Sequence, residues 1–266
     1  MSTVTSKDGT KIAYTKQGNG PAVILVDGAL CYRKFGPNGA LATALASDFT
    51  VYTYDRRGRG ESGDTLPFAA QREIEDIEAM IDAAGGSAIL YGISSGGALA
   101  LDAAEKLGSK VSKVAVYEIP FFVDNGHAPI PSDYVEHINA LVAADQRSQA
   151  VKYFMSEVIG FPKAMVALFP LFPGWSSNKA IAHTLVYDAA FVMDSQQCKP
   201  LPKTKWQGVS QPTLVVTGGK SPAWVYSAAA AIQKQLKNSV AETLEGQAHQ
   251  VKAAALAPVV TAFFKQ

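Results

Sequence analysis

Apolar residues recur along this chain with two different periods. From Ala22 to Asp27 (AVILVD), from Phe49 to Asp55 and from Ser87 to Ile93 they run almost unbroken, the pattern of strands buried on both faces of a sheet. Thr10–Gln17 alternates apolar with polar residues instead, as an exposed antiparallel strand does. Between these runs, Ile74, Ile77, Ile81 and Ala84 share one helical face, with acidic residues opposite. Strand-like runs return at Val111–Tyr117, Pro212–Gly218 and Val240–Leu244, and helical patterns at about Pro222–Leu236 and Gln250–Phe264. Strands alternating with amphipathic helices predict an α/β fold, a mostly parallel sheet covered by helices on both faces.

The alternation stops between Phe121 and Trp206. This stretch is Pro-punctuated (Pro129, Pro131, Pro162, Pro170, Pro173), has no parallel-strand runs, and carries nearly half of the chain's aromatic residues. It predicts an inserted helical cap over residues 121–206, with residues 1–120 and 207–266 forming the core. Part of the cap would be a small hydrophobic core of its own. Its inner face would line an apolar pocket, for which Phe121, Phe122, Trp175 and Phe191 are the candidate residues.

Composition narrows the class. The chain has 266 residues, 48% hydrophobic and 18% charged, which is the balance of a globular protein rather than a disordered one. Lys and Arg total 24 against 23 Asp and Glu, so no basic excess exists to neutralise nucleic-acid phosphates. Cys31 and Cys198 form neither a disulfide framework nor a metal-ligand pair. No apolar run reaches the ~18–20 residues of a membrane span, and the first thirty residues lack the apolar core of a signal peptide. A cytoplasmic protein with a small-molecule partner is the expectation. Oligomeric state leaves no trace in the pattern.

The sharpest chemical signal is Gly92-Ile93-Ser94-Ser95-Gly96-Gly97, directly after an apolar run and before a helix. A G-x-S-x-G at such a junction forces a tight turn that lifts the central serine above the sheet. Ser94 is therefore the candidate nucleophile. The backbone N–H of Ser95, at the helix N-terminus, is a candidate oxyanion donor.

With that motif the sequence resembles the α/β-hydrolase superfamily over about residues 4–120 and 210–266. The string Tyr54-Asp55-Arg56-Arg57-Gly58-Arg59-Gly60-Glu61-Ser62 is similar to a D-x-R-G-x-G-x-S segment of that family, and we read it as a turn held by an Asp55–Arg pair. The resemblance implies an eight-stranded sheet with an inserted cap, and chemistry without a metal or organic cofactor. It also implies a histidine base in the loop between the last strand and last helix, where His249 stands; His127, His137 and His183 lie in the cap.

The acid departs from the commoner family pattern. Gly218-Gly219-Lys220-Ser221-Pro222 places Ser221 where an aspartate usually stands, and no aspartate follows Asp194. Some family members carry the acid after the strand beside the nucleophile strand. Glu118 in Tyr117-Glu118-Ile119-Pro120 occupies that place, with Glu242 and Glu245 as weaker candidates. The second oxyanion amide would come from Gly28 or Ala29, although Asp27 there is an unusual anion for such a site. Together, Asp27-Gly28, the serine–glycine elbow and Glu118-Ile119-Pro120 resemble the zearalenone lactone hydrolase group.

The expected activity is that of a serine hydrolase, Ser94–His249–Glu118, cleaving an ester or lactone of an apolar small molecule through an acyl-enzyme. Two alternatives stand beside it. One is a ligand-binding member of the same fold with little chemistry. The other is cofactor-free perhydrolysis or carbon–carbon bond cleavage on the same residues.

Overall fold

A computed structural model describes residues 2–266. Eight strands form one sheet: β1 (Ser2–Thr5), β2 (Lys11–Gln17), β3 (Ala22–Val26), β4 (Thr50–Tyr54), β5 (Ala88–Ile93), β6 (Val111–Tyr117), β7 (Thr213–Gly218) and β8 (Ser239–Leu244). Their order across the sheet is β1-β2-β4-β3-β5-β6-β7-β8. β1–β2 and β2–β4 pair antiparallel, and every other pairing is parallel. This is the α/β-hydrolase architecture, with β5 at the centre.

Alternation along the parallel strands sorts their side chains onto two faces. Val23 and Leu25 of β3 join a cluster with Leu41 and Leu45 of α1 (Asn38–Leu45) and with Leu256, Val260 and Phe264 of α10 (Ala253–Phe264). Ile24 and Val26 point the other way, into a cluster with Ile74, Ile77 and Ile81 of α2 (Ala70–Ala83) and with α3 (Ser95–Leu107) and α9 (Ala223–Gln235). Burial on both faces explains why these strands read as unbroken apolar runs. β1 and α1 were not expected from the pattern: both are short, and neither carries a full amphipathic repeat. α10 begins three residues later than its pattern, because His249 to Lys252 form the loop that enters it.

Between β6 and β7 lie only helical elements: α4 (Tyr134–Ala143), α5 (Arg147–Tyr153), α6 (Lys163–Leu168), α7 (Trp175–Ala180), α8 (Leu185–Val192) and short 3₁₀ and π turns. Phe122, Ile138, Val151, Trp175 and Leu185 pack into a third cluster. The insertion is also stitched into the sheet layer. Phe121, Phe191, Val192 and Trp206 belong to the cluster beneath it, and Trp206 donates its indole N–H to Asp102 of α3 at 2.6 Å. No helix among the described residues is long and apolar enough to cross a membrane.

Candidate active site

Ser94, Glu118, His249 and the Gly28–Ala29 loop all lie beyond the carboxyl ends of parallel strands, where open α/β sheets place their ligands. β5 ends in Ser94, which holds φ 57° and ψ −131°, backbone that a non-glycine residue adopts at a cost of about 1–3 kcal/mol. The turn requires clearance behind it. A Cβ on Gly96 would lie 2.5 Å from the carbonyl oxygens of both Val26 and Asp27, so only glycine lets α3 approach β3 this closely. The loop after β3 crosses directly over the serine, since a Cβ on Gly28 would come within 2.9 Å of Ser94 Cβ. Ser95 is the first residue of α3, so its N–H has no acceptor within the helix.

Glu118 follows β6, with φ 47° turning its side chain across the strand ends and leaving it 4% exposed. One carboxylate oxygen accepts from the Gly218 N–H at 2.7 Å and from the Ser221 hydroxyl. The other faces His249 Nδ1 at 2.9 Å. Burial pushes the Glu118 carboxyl up, but the hydrogen bonds from His249, Ser221 and Gly218 outweigh it and hold it below the ordinary carboxylate value. Ser221 thus stands where an aspartate was expected and serves the glutamate that replaces it. Glu242 and Glu245 are exposed.

The loop carrying His249 is tied down by Tyr117, whose hydroxyl donates to the Ala248 carbonyl at 2.7 Å, and by the Lys220 N–H, which donates to the Gln247 carbonyl at 2.8 Å. The imidazole keeps 48% of its side-chain surface open. The other histidines lie elsewhere. His127 stacks on Phe122, His137 packs on Tyr153, and His183 faces Asp64.

A cavity of about 220 Å³ opens above these groups, with Ala29, Ser95, Glu118 and His249 among its lining residues. Its walls are Phe122, Ile130, Phe154, Leu185, Val192 and Trp224, with Tyr134 and Asp188 among the few polar side chains. Of the four aromatic residues expected there, only Phe122 lines it. Phe121 stacks on Trp206, Phe191 faces the Arg56 guanidinium beneath α8, and Trp175 is buried inside the insertion. Trp224, on α9 and outside the insertion, was missed because nothing in its helical pattern distinguishes a wall residue from a surface one.

Asp27 is buried, one of its carboxylate oxygens has no hydrogen-bond partner, and the side chain lies against Gly36 beside Cys31. Burial raises its carboxyl to about 7 against the opposing pull of Arg59 and Arg56, which weakens the anion next to the oxyanion loop. The expected Asp55–Arg pair is present, but its arginine is Arg33, which lies outside the basic string. Asp55 accepts from the Arg33 N–H and guanidinium, whereas Arg56, Arg57 and Arg59 are buried on other acids. No group of three His, Cys, Asp or Glu side chains among the described residues is arranged to hold a metal ion.

Residues 23–262 match the sequence model of the alpha/beta hydrolase family. An alpha/beta hydrolase from Sphaerobacter thermophilus is 46% identical, with a TM-score of 0.90 over 99% of this chain and 100% of that one. A hydrolase from Pseudomonas aeruginosa shares the fold at 22% identity, TM-score 0.75, over 100% and 98% of the two chains. A proline iminopeptidase of Pestalotiopsis fici is 25% identical over 92% of this chain and 91% of its own length.

Proposed function

We propose that this chain, which belongs to the alpha/beta hydrolase family, is a serine hydrolase that cleaves an ester or lactone of a neutral, apolar small molecule. The observation that carries this reading is the Glu118–His249 pair, closed at 2.9 Å against an apolar cavity that Ser95, the residue after Ser94, also lines. Ser94 attacks the carbonyl carbon while His249 Nε2 takes its proton and then passes it to the leaving oxygen. Glu118 fixes the tautomer that leaves Nε2 free to accept, and it balances the imidazolium that forms. The Ser95 amide and that of Gly28 or Ala29 receive the developing oxyanion. Water, with His249 again as base, then releases the acid from the acyl-enzyme.

The cavity lining supports a neutral substrate. No lysine or arginine lines it, and its two carboxylates, Glu118 and Asp188, are already engaged by neighbouring donors. The finer likeness of Asp27-Gly28, the elbow and Glu118-Ile119-Pro120 to zearalenone lactone hydrolases places bulky lactones beside simple esters in the substrate panel.

Intact-mass measurement after exposure to a fluorophosphonate tests the reading. One adduct on the wild-type chain, absent from Ser94→Ala, is expected, together with turnover of at least one ester or lactone. A folded wild-type protein that takes no adduct would overturn it in favour of a ligand-binding role for the cavity.

A further inference from the structure

Two buried arginines of the turn after β4 converge on one carboxylate of the inserted helices. Asp188, on α8, is 3% exposed and lines the cavity beside Ser95. One of its oxygens accepts from Arg56 Nη1 at 2.6 Å and from the Ser95 hydroxyl at 2.7 Å, and the other accepts from Arg59 Nη2 at 2.6 Å. Both guanidiniums then reach on to the loop above Ser94. Arg56 Nη1 donates to the Asp27 carbonyl at 3.1 Å, and Arg59 Nη1 donates to the Gly28 carbonyl at 2.6 Å.

These carbonyls matter because a trans peptide is planar, with its N–H directed opposite to its C=O. Holding the Asp27 carbonyl aims the Gly28 N–H, and holding the Gly28 carbonyl aims the Ala29 N–H. On the facing wall, the Ser95 hydroxyl anchors the residue whose own N–H opens α3. One carboxylate therefore braces both walls of the space over Ser94. Glu73 takes the remaining face of Arg56 through two hydrogen bonds, at 2.6 and 2.7 Å, so the buried charges balance. Burial raises the Asp188 carboxyl, but Arg59, Arg56 and Ser95 outweigh it and keep the group ionised.

We propose that Asp188 is a positioning residue for the oxyanion hole, acting through Ser95, Arg56 and Arg59, so that the hole is complete only when the inserted helical layer is docked. This rests on the reading of Ser94 as nucleophile and of the Ser95 and Gly28 or Ala29 amides as oxyanion donors. Asp188 itself exchanges no proton with substrate. A purely structural buried ion pair would hold the layers together without affecting the reaction, and the neighbouring pair of Arg57 with Asp76, at 2.7 Å, provides that control because it reaches no part of the loop.

The test compares wild type, Ser95→Ala, Asp188→Asn and Asp76→Asn as full-length chains. The readouts are kcat and KM on a p-nitrophenyl ester, inhibition by an aryl trifluoromethyl ketone whose adduct carries an oxyanion, and thermal melting. Ser95→Ala keeps its main-chain N–H, yet its kcat should fall about tenfold with KM within about two-fold, and the ketone should weaken in proportion. Asp188→Asn should show the same split with a larger loss of kcat. Asp76→Asn should melt earlier while kcat stays within about two-fold of wild type.

Folded Ser95→Ala and Asp188→Asn proteins with wild-type kcat would overturn the proposal. So would an Asp76→Asn variant that loses kcat in the same way. If Asp188→Asn does not fold, Ser95→Ala decides alone. A wild-type chain that takes no fluorophosphonate and cleaves no ester fails at Ser94, which overturns the nucleophile reading and this proposal together, whereas an active wild type with unaffected variants overturns only the role of Asp188.

Discussion

Glu118→Gln isolates the charge and tautomer control of the acid with almost no change in shape. Glu118 presents one oxygen to the Gly218 N–H, a main-chain donor that cannot reverse its role, and the other to His249 Nδ1. A glutamine must keep its carbonyl toward Gly218, which turns its NH₂ toward His249. The imidazole then accepts at Nδ1 and carries its proton on Nε2, where it cannot receive one from Ser94. In serine triads the equivalent isosteric change lowers kcat about 10⁴-fold, which is about 5.5 kcal/mol of transition-state stabilisation. The fold should tolerate the change, because removing a buried charge from a matched site leaves the packing intact and the Gly218 bond in place. Steady-state kinetics on a p-nitrophenyl ester, with thermal melting alongside, measure both. A kcat within about tenfold of wild type in a normally melting protein would place the acid elsewhere and refute the tautomer argument.

Three further outcomes are expected. Asp27 binds its proton more tightly when folded, at about 7 against 3.8, so the stability it contributes is complete below the unfolded value and lost as pH rises through about 7. Asp27→Asn should therefore match wild type in urea unfolding near pH 4 and exceed it at pH 8.5 by up to about 4 kcal/mol, and an advantage independent of pH would refute this. Trp224→Ala should raise KM for bulky apolar esters roughly 30-fold, the equivalent of about 2 kcal/mol of lost apolar contact, with little effect on an acetate ester. An equal effect on both would remove Trp224 from the substrate wall. Gly96→Ala drives a Cβ to within 2.5 Å of the Val26 and Asp27 carbonyl oxygens and should cost on the order of 3 kcal/mol or more, visible as an early urea midpoint. A wild-type midpoint would show that α3 and β3 can separate freely.

The parts of this protein that the amino-acid sequence determined by itself are those whose physics is local. Unbroken apolar runs become strands of the parallel sheet because burial on both faces leaves no polar position to accommodate. The small residues around Ser94 permit a turn that larger ones would block through backbone overlap. Glu118 and His249 were legible because Glu118 directly follows β6 and His249 stands in the loop after β8, and the carboxyl ends of parallel strands gather at one edge of the sheet.

Tertiary structure alone decided what depends on partners far along the chain. The basic turn shows three arginines but not their acids: Asp188, on which Arg56 and Arg59 converge, lies 132 and 129 residues away. Phe121 and Phe122 are identical neighbours outside a strand, so no alternation told which would stack on Trp206 and which would line the cavity. Ser221 read as a missing aspartate until the fold brought it to Glu118. A buried charge or ring is satisfied by whichever group the packed chain delivers, and that choice exists only once strands and inserted helices are docked together.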